Sequence, residues 1–293
     1  MFRTLLFVPG NNERFVNKSF SLESDILCYD LEDSVPLNEK ALARNLIRNK
    51  CAEARVGNHE SSLFVRVNSI SSGLVKMDLS EVIQAGVDGI VLPKINDSTE
   101  LLEVSQILQQ LEKERNLESG KIALIPSIET AMGVVNTFSI ARSDDRVVAV
   151  VFGVFDFLHD MDIEEITDAN SYSYARSKIA IDAKAAGVSS LDGIWQDVHD
   201  IQGLITDATT ARKLGFSGKT LIHPSHIEPV RQVFLPTPSQ VTWAKKVIAA
   251  LSESMERGTG SGAVKLDGKM IDAVHYKQAK SLLEMTKQSN KEK

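Results

Sequence analysis

The sequence is poor in the features that mark several protein classes. Only two of its 293 residues are cysteine, Cys28 and Cys51, too few for a disulfide framework or a cysteine-built zinc site. Aromatic residues make up 6% of the chain, and 33 Lys and Arg face 39 Asp and Glu, a net charge of −6. A general nucleic-acid binder carries a basic surplus or a basic stripe, and neither is present. No apolar run approaches the roughly 20 residues a membrane-crossing helix needs. The longest, VVAVVFGVF at 147–155, reads as a buried strand. MFRTLLFVPGNN at the N-terminus lacks the layout of a signal peptide, and with so little cysteine it points to the cytoplasm.

What is present is an ordinary globular composition, 43% hydrophobic and 25% charged, long enough for a full core. Short β-branched runs alternate with longer helical stretches from one end to the other. Strands are predicted over 4–9, 25–32, 62–68, 89–95, 122–129, 146–153, 189–195 and 219–224. Segments between them, such as ALARNLIRNKCAEA and YARSKIAIDAKAAG, carry apolar residues at helical spacing. The strands are nearly continuous apolar runs, as expected where both faces are covered. Eight βα units in succession predict a TIM (β/α)8 barrel over 1–236, with an open doubly wound sheet as the competing arrangement. From 237 to 293 the pattern changes to a C-terminal helical extension, read as an appendage to the barrel.

In such a barrel, chemistry collects at the C-terminal strand ends. That layer holds Pro9, Asn11, Asp30, Glu32, Asp33, Arg66, Asn68, Lys94, Glu129, Asp156, Asp192 and His223. Charged groups gathered at one mouth favour a charged small-molecule site, because unpaired buried charge is costly. Glu129 and Asp156 close neighbouring strands and can share a hard cation, with water and substrate oxygens completing a shell that suits Mg²⁺. The alternative makes both of them helix-capping acids. Arg66 suits a substrate carboxylate, or serves as the partner of the DLED carboxylates at 30–33; the two roles are compatible.

Several motifs fail on inspection. GKT at 218–220 resembles a phosphate loop, but Lys213 stands where that loop requires glycine. GTGSGA at 258–263 has the wrong glycine spacing. His223 and His226 have no cysteine nearby and no HExxH context, so they read as structural. No GxSxG elbow occurs.

Taken together, RTLLFVPGNNERF (3–15), YDLEDSVPLNEKALAR (29–44), VRVN (65–68), VLPK (91–94), IPSIET (125–130), FGVFD (152–156), DGIWQDVHD (192–200), ARKLGFSGKTLIHP (211–224) and GKMIDAVHYKQA (268–279) resemble the citrate lyase β subunit and CoA-ester lyases of the HpcH/HpaI aldolase group. The resemblance covers nearly the whole chain in the family order. It implies a barrel with Mg²⁺ on Glu129 and Asp156, and a substrate bound by Arg66 and Glu129. It also implies that Asp272 is brought over the site from a neighbouring subunit of a homotrimer, with 258–262 as a hinge; spacing alone would make Asp272 a helix N-cap. The implied reaction is retro-Claisen cleavage of a citryl-, citramalyl- or malyl-type thioester, carried by CoA or an acyl carrier, to acetyl-CoA and a 2-oxo acid. Arg66 stabilises charge and Asp272 protonates the enolate. The competing functions are a CoA-independent aldolase releasing pyruvate or oxaloacetate, and a non-catalytic thioester-binding subunit. Lys40 and Arg44, one helical turn apart, read as solvated helix charges, with CoA phosphates as the alternative. Phe155 is a bulky neighbour for a metal ligand, and His226 stands where the family usually has glutamine.

Overall fold

The computed structural model describes residues 2–56, 60–84, 86–163, 169–256 and 263–291. The chain divides into two compact units, Met1–Phe234 and Leu235–Lys293. In the first, β1 (Thr4–Pro9), β2 (Ile26–Asp30), β3 (Ser62–Arg66), β4 (Gly89–Leu92), β5 (Ala123–Ile128), β6 (Ala149–Phe152), β7 (Ser189–Asp192) and β8 (Gly218–Leu221) pair in sequence order as a closed barrel. Every pairing in it is parallel, and β1 meets β8 through Thr4–Lys219 and Leu5–Thr220. This is the TIM barrel, and the open sheet is excluded by the β1–β8 seam.

Between the strands run α1 (Glu13–Ser19), α2 (Lys40–Val56), α3 (Val75–Val82), α4 (Ser98–Glu114), α5 (Ala131–Ala141), α6 (Val154–Asp160), α7 (Ser173–Ala186), α8 (Ile201–Leu214) and α9 (Ile227–Phe234). The strand β6 is followed by two helices, α6 and α7, rather than one. All strands but β1 are shorter than predicted, and for β4 and β6 the reason is identifiable. In β4, Pro93 has no N–H to give to a ladder and Lys94 turns left-handed at φ 57°. Before β6, Asp144 accepts from Arg146 N, and Val147 N bonds back to Asp144, so the residues before Ala149 form a turn.

The two-residue period of the strands sorts their side chains into two separate apolar clusters. Leu5, Cys28, Phe64, Val91, Ile125 and Leu191 fill the barrel interior. Their chain neighbours, including Leu6, Leu27, Tyr29, Val65, Ile90 and Leu124, pack outward against the helices. Each fully buried Leu or Ile contributes roughly 1.5–3 kcal/mol relative to exposure.

Asp192 belongs to the outer layer, which corrects its expected place at the mouth. It accepts two bonds from Arg176 (2.9 and 2.6 Å) and one from Lys219 (2.6 Å). The same two cations also reach Asp207, at 2.8 and 2.5 Å. Burial raises the Asp192 pKa, but Lys219 and Arg176 outweigh it and hold the carboxyl below its usual range.

The second unit is not wholly helical. Between α10 (Pro238–Glu256) and α11 (Ala273–Lys291) lies an antiparallel hairpin, β9 (Ala263–Leu266) and β10 (Lys269–Asp272). Asp267 and Gly268 join its strands at φ 48° and 82°, the pattern of a two-residue type I′ turn. Ile271 from β10 packs with Val247 and Leu251 of α10 in a small separate core. The expected hinge at 258–262 lies outside the described residues.

Asp192→Ala would leave Lys219 and Arg176, 1% and 2% exposed, to share Asp207 alone. The expected cost is about 3–5 kcal/mol, read as a melting temperature lowered by roughly 10 °C. Lost turnover with unchanged melting would instead return Asp192 to the mouth.

Candidate active site

The side of each strand that fills the barrel interior also supplies the mouth. Two positions beyond Cys28 is Asp30, two beyond Phe64 is Arg66, two beyond Ile125 is Ser127 and then Glu129, and two beyond Val151 is Gly153. All five line one cavity of about 460 Å³, together with Phe7, Pro9, Asp156 and Thr220.

Arg66 is fixed from several directions. Its Nε and Nη2 donate to the two oxygens of Asp30 at 2.7 and 2.8 Å, a bidentate fork. Its guanidinium carbon lies 4.6 Å from the centre of the Phe7 ring. Nη1 is 3.3 Å from Glu32 and 3.7 Å from Asp33. Asp30 is held in turn by Glu32 N and by the amide and hydroxyl of Ser34. Burial favours the neutral acid, but Arg66 prevails and keeps Asp30 ionised, while the Asp30 carboxylate pushes the Arg66 pKa up against its own burial.

Glu129 is 3% exposed, and its Oε2 has no hydrogen-bond partner. Burial, then the neighbouring charges of Glu32 and Asp156, pushes its pKa up to about 8. Gly153 makes room for it: a Cβ there would lie 2.3 Å from the Glu129 Cγ. Asp156 sits in the first turn of α6, where an acid is favoured by the helix dipole. The Lys94 ammonium lies between acids, 3.1 Å from Glu32 and 3.3 Å from Asp156. Burial also raises the pKa of Glu32, and its Oε2 is likewise without a hydrogen bond.

Five carboxylates thus gather around two cations, of which Arg66 is already taken by Asp30. A bare buried carboxylate oxygen and a surplus of acid fit a hard divalent cation. Among the described residues no three Asp, Glu, His or Cys side chains converge as a ligand set. Glu129 and Asp156, which line the same cavity, could hold a cation, with the other positions left to water and substrate oxygens, the habit of Mg²⁺.

The remaining expected residues fall elsewhere. Asn11 donates to Glu39 at 2.5 Å, and Asn68 donates to Asp78 at 2.7 Å. His223 is exposed and contacts Ser225, while buried His226 meets the carbonyl of Val198 at 3.3 Å. Lys40 and Arg44 are neither solvated nor open to phosphate. Lys40 Nζ donates to the carbonyls of Leu31 and Glu32, and Arg44 pairs with fully buried Asp78 at 2.6 Å. Their apolar stems made room for burial that one-turn spacing cannot reveal. Asp272 lies in the second unit, at the end of β10. Its Oδ1 accepts from the amides of Val274 and His275, capping α11, and lies 2.8 Å from His275 Nδ1. The bond to His275 lowers its pKa.

Residues 3–224 match the model of the HpcH/HpaI aldolase/citrate lyase family. The chain belongs to that family. It is 34% identical over 270 residues to the citrate lyase subunit beta of Leuconostoc mesenteroides subsp. cremoris, covering 92% of this chain and 88% of the relative. It is 36% identical to the mitochondrial citramalyl-CoA lyase of Rattus norvegicus, covering 96% and 85%. Among solved structures, the CitE protein of Mycobacterium tuberculosis in complex with magnesium, acetoacetate and coenzyme A aligns at a TM-score of 0.76. That match is 25% identical and covers 97% of each chain. Within this HpcH/HpaI member, the residues that sequence reading overlooked are Gly153 and Ser34, which shape and hold the acids. The glycine two positions past Val151 was their one available signal.

A Glu129 carboxyl with a pKa near 8 keeps its proton at neutral pH, so the metal-free fold loses stability as pH rises from 4.5 toward about 8. Mg²⁺ must displace that proton. Calorimetry in buffers of different ionisation enthalpy should show release of close to one proton near pH 7 and little near pH 9.5. In Glu129→Gln the release should vanish and metal-free melting above pH 8 should rise. Proton release unchanged in that variant would remove Glu129 from the metal site.

Proposed function

We propose that this chain is a Mg²⁺-dependent carbon–carbon lyase that cleaves a 3-hydroxyacyl thioester of the citryl, citramalyl or malyl type to acetyl-CoA and a 2-oxo acid. The observation that carries this reading is Glu129: buried, without a hydrogen bond at Oε2, and sharing one cavity with Asp156 and Arg66. Likeness to a citrate lyase subunit, a citramalyl-CoA lyase and a magnesium- and CoA-bound structure supports the chemistry. An adjoining cavity of about 710 Å³, which shares Val154, Phe155 and Ile194 with the first, offers room for an extended thioester arm.

Glu129 and Asp156 would hold a Mg²⁺, and that ion would supply Lewis-acid charge beside the carboxylate and hydroxyl of the substrate. Arg66, locked by Asp30 and Phe7, presents a fixed positive charge to the same carboxylate, and this costs no reorganisation as charge develops. The hydroxyl passes its proton to Asp272, which its lowered pKa keeps as a carboxylate beforehand, and the bond from its carbon to the methylene breaks. The electron pair passes to the thioester as an enolate, and the 2-oxo acid leaves. Asp272 then protonates the methylene carbon to give the acetyl thioester. A homotrimer in which Asp272 serves a neighbouring copy is part of this reading, as is a cytoplasmic setting, which two free and buried cysteines support. Among the described residues no helix is long and apolar enough to cross a membrane.

A Mg²⁺-dependent assay on citramalyl-, malyl- and citryl-CoA, coupled to 2-oxo acid detection, tests the proposal directly. Glu129→Ala and Asp156→Ala should abolish turnover in folded protein, and Arg66→Gln should lower kcat by about 100- to 1,000-fold. Asp272→Asn should lose turnover while still binding metal and ligand; normal rates would leave Asp272 as a helix cap only.

A further inference from the structure

We infer that the 2-oxo acid half of the substrate carries a single carboxylate and an apolar substituent, a methyl group or a short alkyl chain. This rests on the lyase reading above and narrows it. Three observations lead to it.

The first is electrostatic. Of the described residues lining the 460 Å³ cavity, Arg66 is the single cation, and four lining residues are acids: Asp30, Asp33, Glu129 and Asp156. The guanidinium of Arg66 is committed to the Asp30 fork, and Lys94 nearby is held between Glu32 and Asp156. A first substrate carboxylate can be met by the metal and by the outer edge of Arg66. A second one, as on a carboxymethyl substituent, would meet several like charges and, among the described residues lining the cavity, no uncommitted cation.

The second observation is the shape and chemistry of the facing wall. Val154, Phe155, Ile194 and Ile222 line the cavity with apolar groups. Phe155 and Asp156 line the same cavity, so a substituent on the carbon whose oxygens meet the metal shares that space with this wall. The third is that Phe155 is 39% exposed and lines both cavities, as do Val154 and Ile194. These three side chains form the partition between the acid end and the adjoining space. An exposed aromatic at that partition gains burial when an apolar substituent packs on it.

On the proposed substrate, R–C(OH)(COO⁻)–CH2–CO–S–R′ gives R–CO–COO⁻ and CH3–CO–S–R′. The inference assigns R as methyl or a short alkyl group rather than CH2COO⁻. Phe155, with Val154 and Ile194, is then a specificity-determining residue.

The test has two arms on the full-length protein. In the first, calorimetry with Mg²⁺ compares pyruvate, 2-oxobutyrate and oxaloacetate. The monocarboxylates should bind more tightly than oxaloacetate, and equal or tighter binding of oxaloacetate overturns the inference. In the second, kcat/KM is compared for citramalyl-CoA and citryl-CoA. A preference for citramalyl-CoA on the order of 100-fold is expected, and parity or the opposite order overturns it. Phe155→Arg places a cation on the partition and should move the preference toward citryl-CoA, while Phe155→Leu should keep the wild-type order. If no thioester is cleaved but the monocarboxylates still bind preferentially, the lyase reading fails and the assignment of the cavity stands.

Discussion

Arg66 holds both oxygens of Asp30, and the rest of the barrel mouth depends on that fork. It occupies the strongest local cation with one carboxylate and fixes its direction against the Phe7 ring. Glu32 and Asp33 are then left with the Nη1 edge of Arg66, and Glu32 and Asp156 with Lys94. Low solvent access makes the imbalance expensive. Glu129, more deeply placed than these three, keeps its proton and has an oxygen without a partner. A divalent cation would relieve both conditions together.

Charges elsewhere in the barrel behave differently. Arg146 and Glu112 form two hydrogen bonds of 2.7 Å, Arg44 and Asp78 one of 2.6 Å, and Arg176, Lys219, Asp192 and Asp207 a compact network. Those groups fasten helices to each other, to a turn and to strands, and their carboxylates have partners at hydrogen-bonding distance. The mouth is where acid remains in excess. Scaffolding charge is closed upon itself, whereas charge meant for a ligand is left open, and Asp192 illustrates the difference. Its sequence position beside the strand-end acids suggested chemistry, but its place in the outer layer, between two buried cations, makes it structural.

Much of the architecture was legible before any coordinates. Eight apolar runs at regular spacing led to eight parallel strands, because a strand covered on both faces has no polar alternation to hide. That Arg66 and Glu129 share a cavity was legible for a related reason, since strand ends are where the fold turns its inner face toward solvent; Asp156 lines the same cavity from the first turn of α6 rather than from a strand end. The hairpin of the second unit was missed although Asp267–Gly268 is a strong turn signal, because the surrounding helical composition drew the reading toward helix. Lys40 and Arg44 were misread because a long aliphatic stem allows a charged residue to be buried.

The order of the strands, the two-residue sorting of core from mouth and the family membership follow from the sequence by itself, since each depends on local spacing along one chain. Which carboxylates are paired and which remain open depends on contacts between residues far apart in that chain. Arg66 is 36 positions from Asp30, and Lys94 is 62 from Glu32. The fork, the unpartnered oxygen of Glu129 and the apolar partition at Phe155 were decided by tertiary structure, because burial and counter-charge are properties of a folded neighbourhood rather than of a residue.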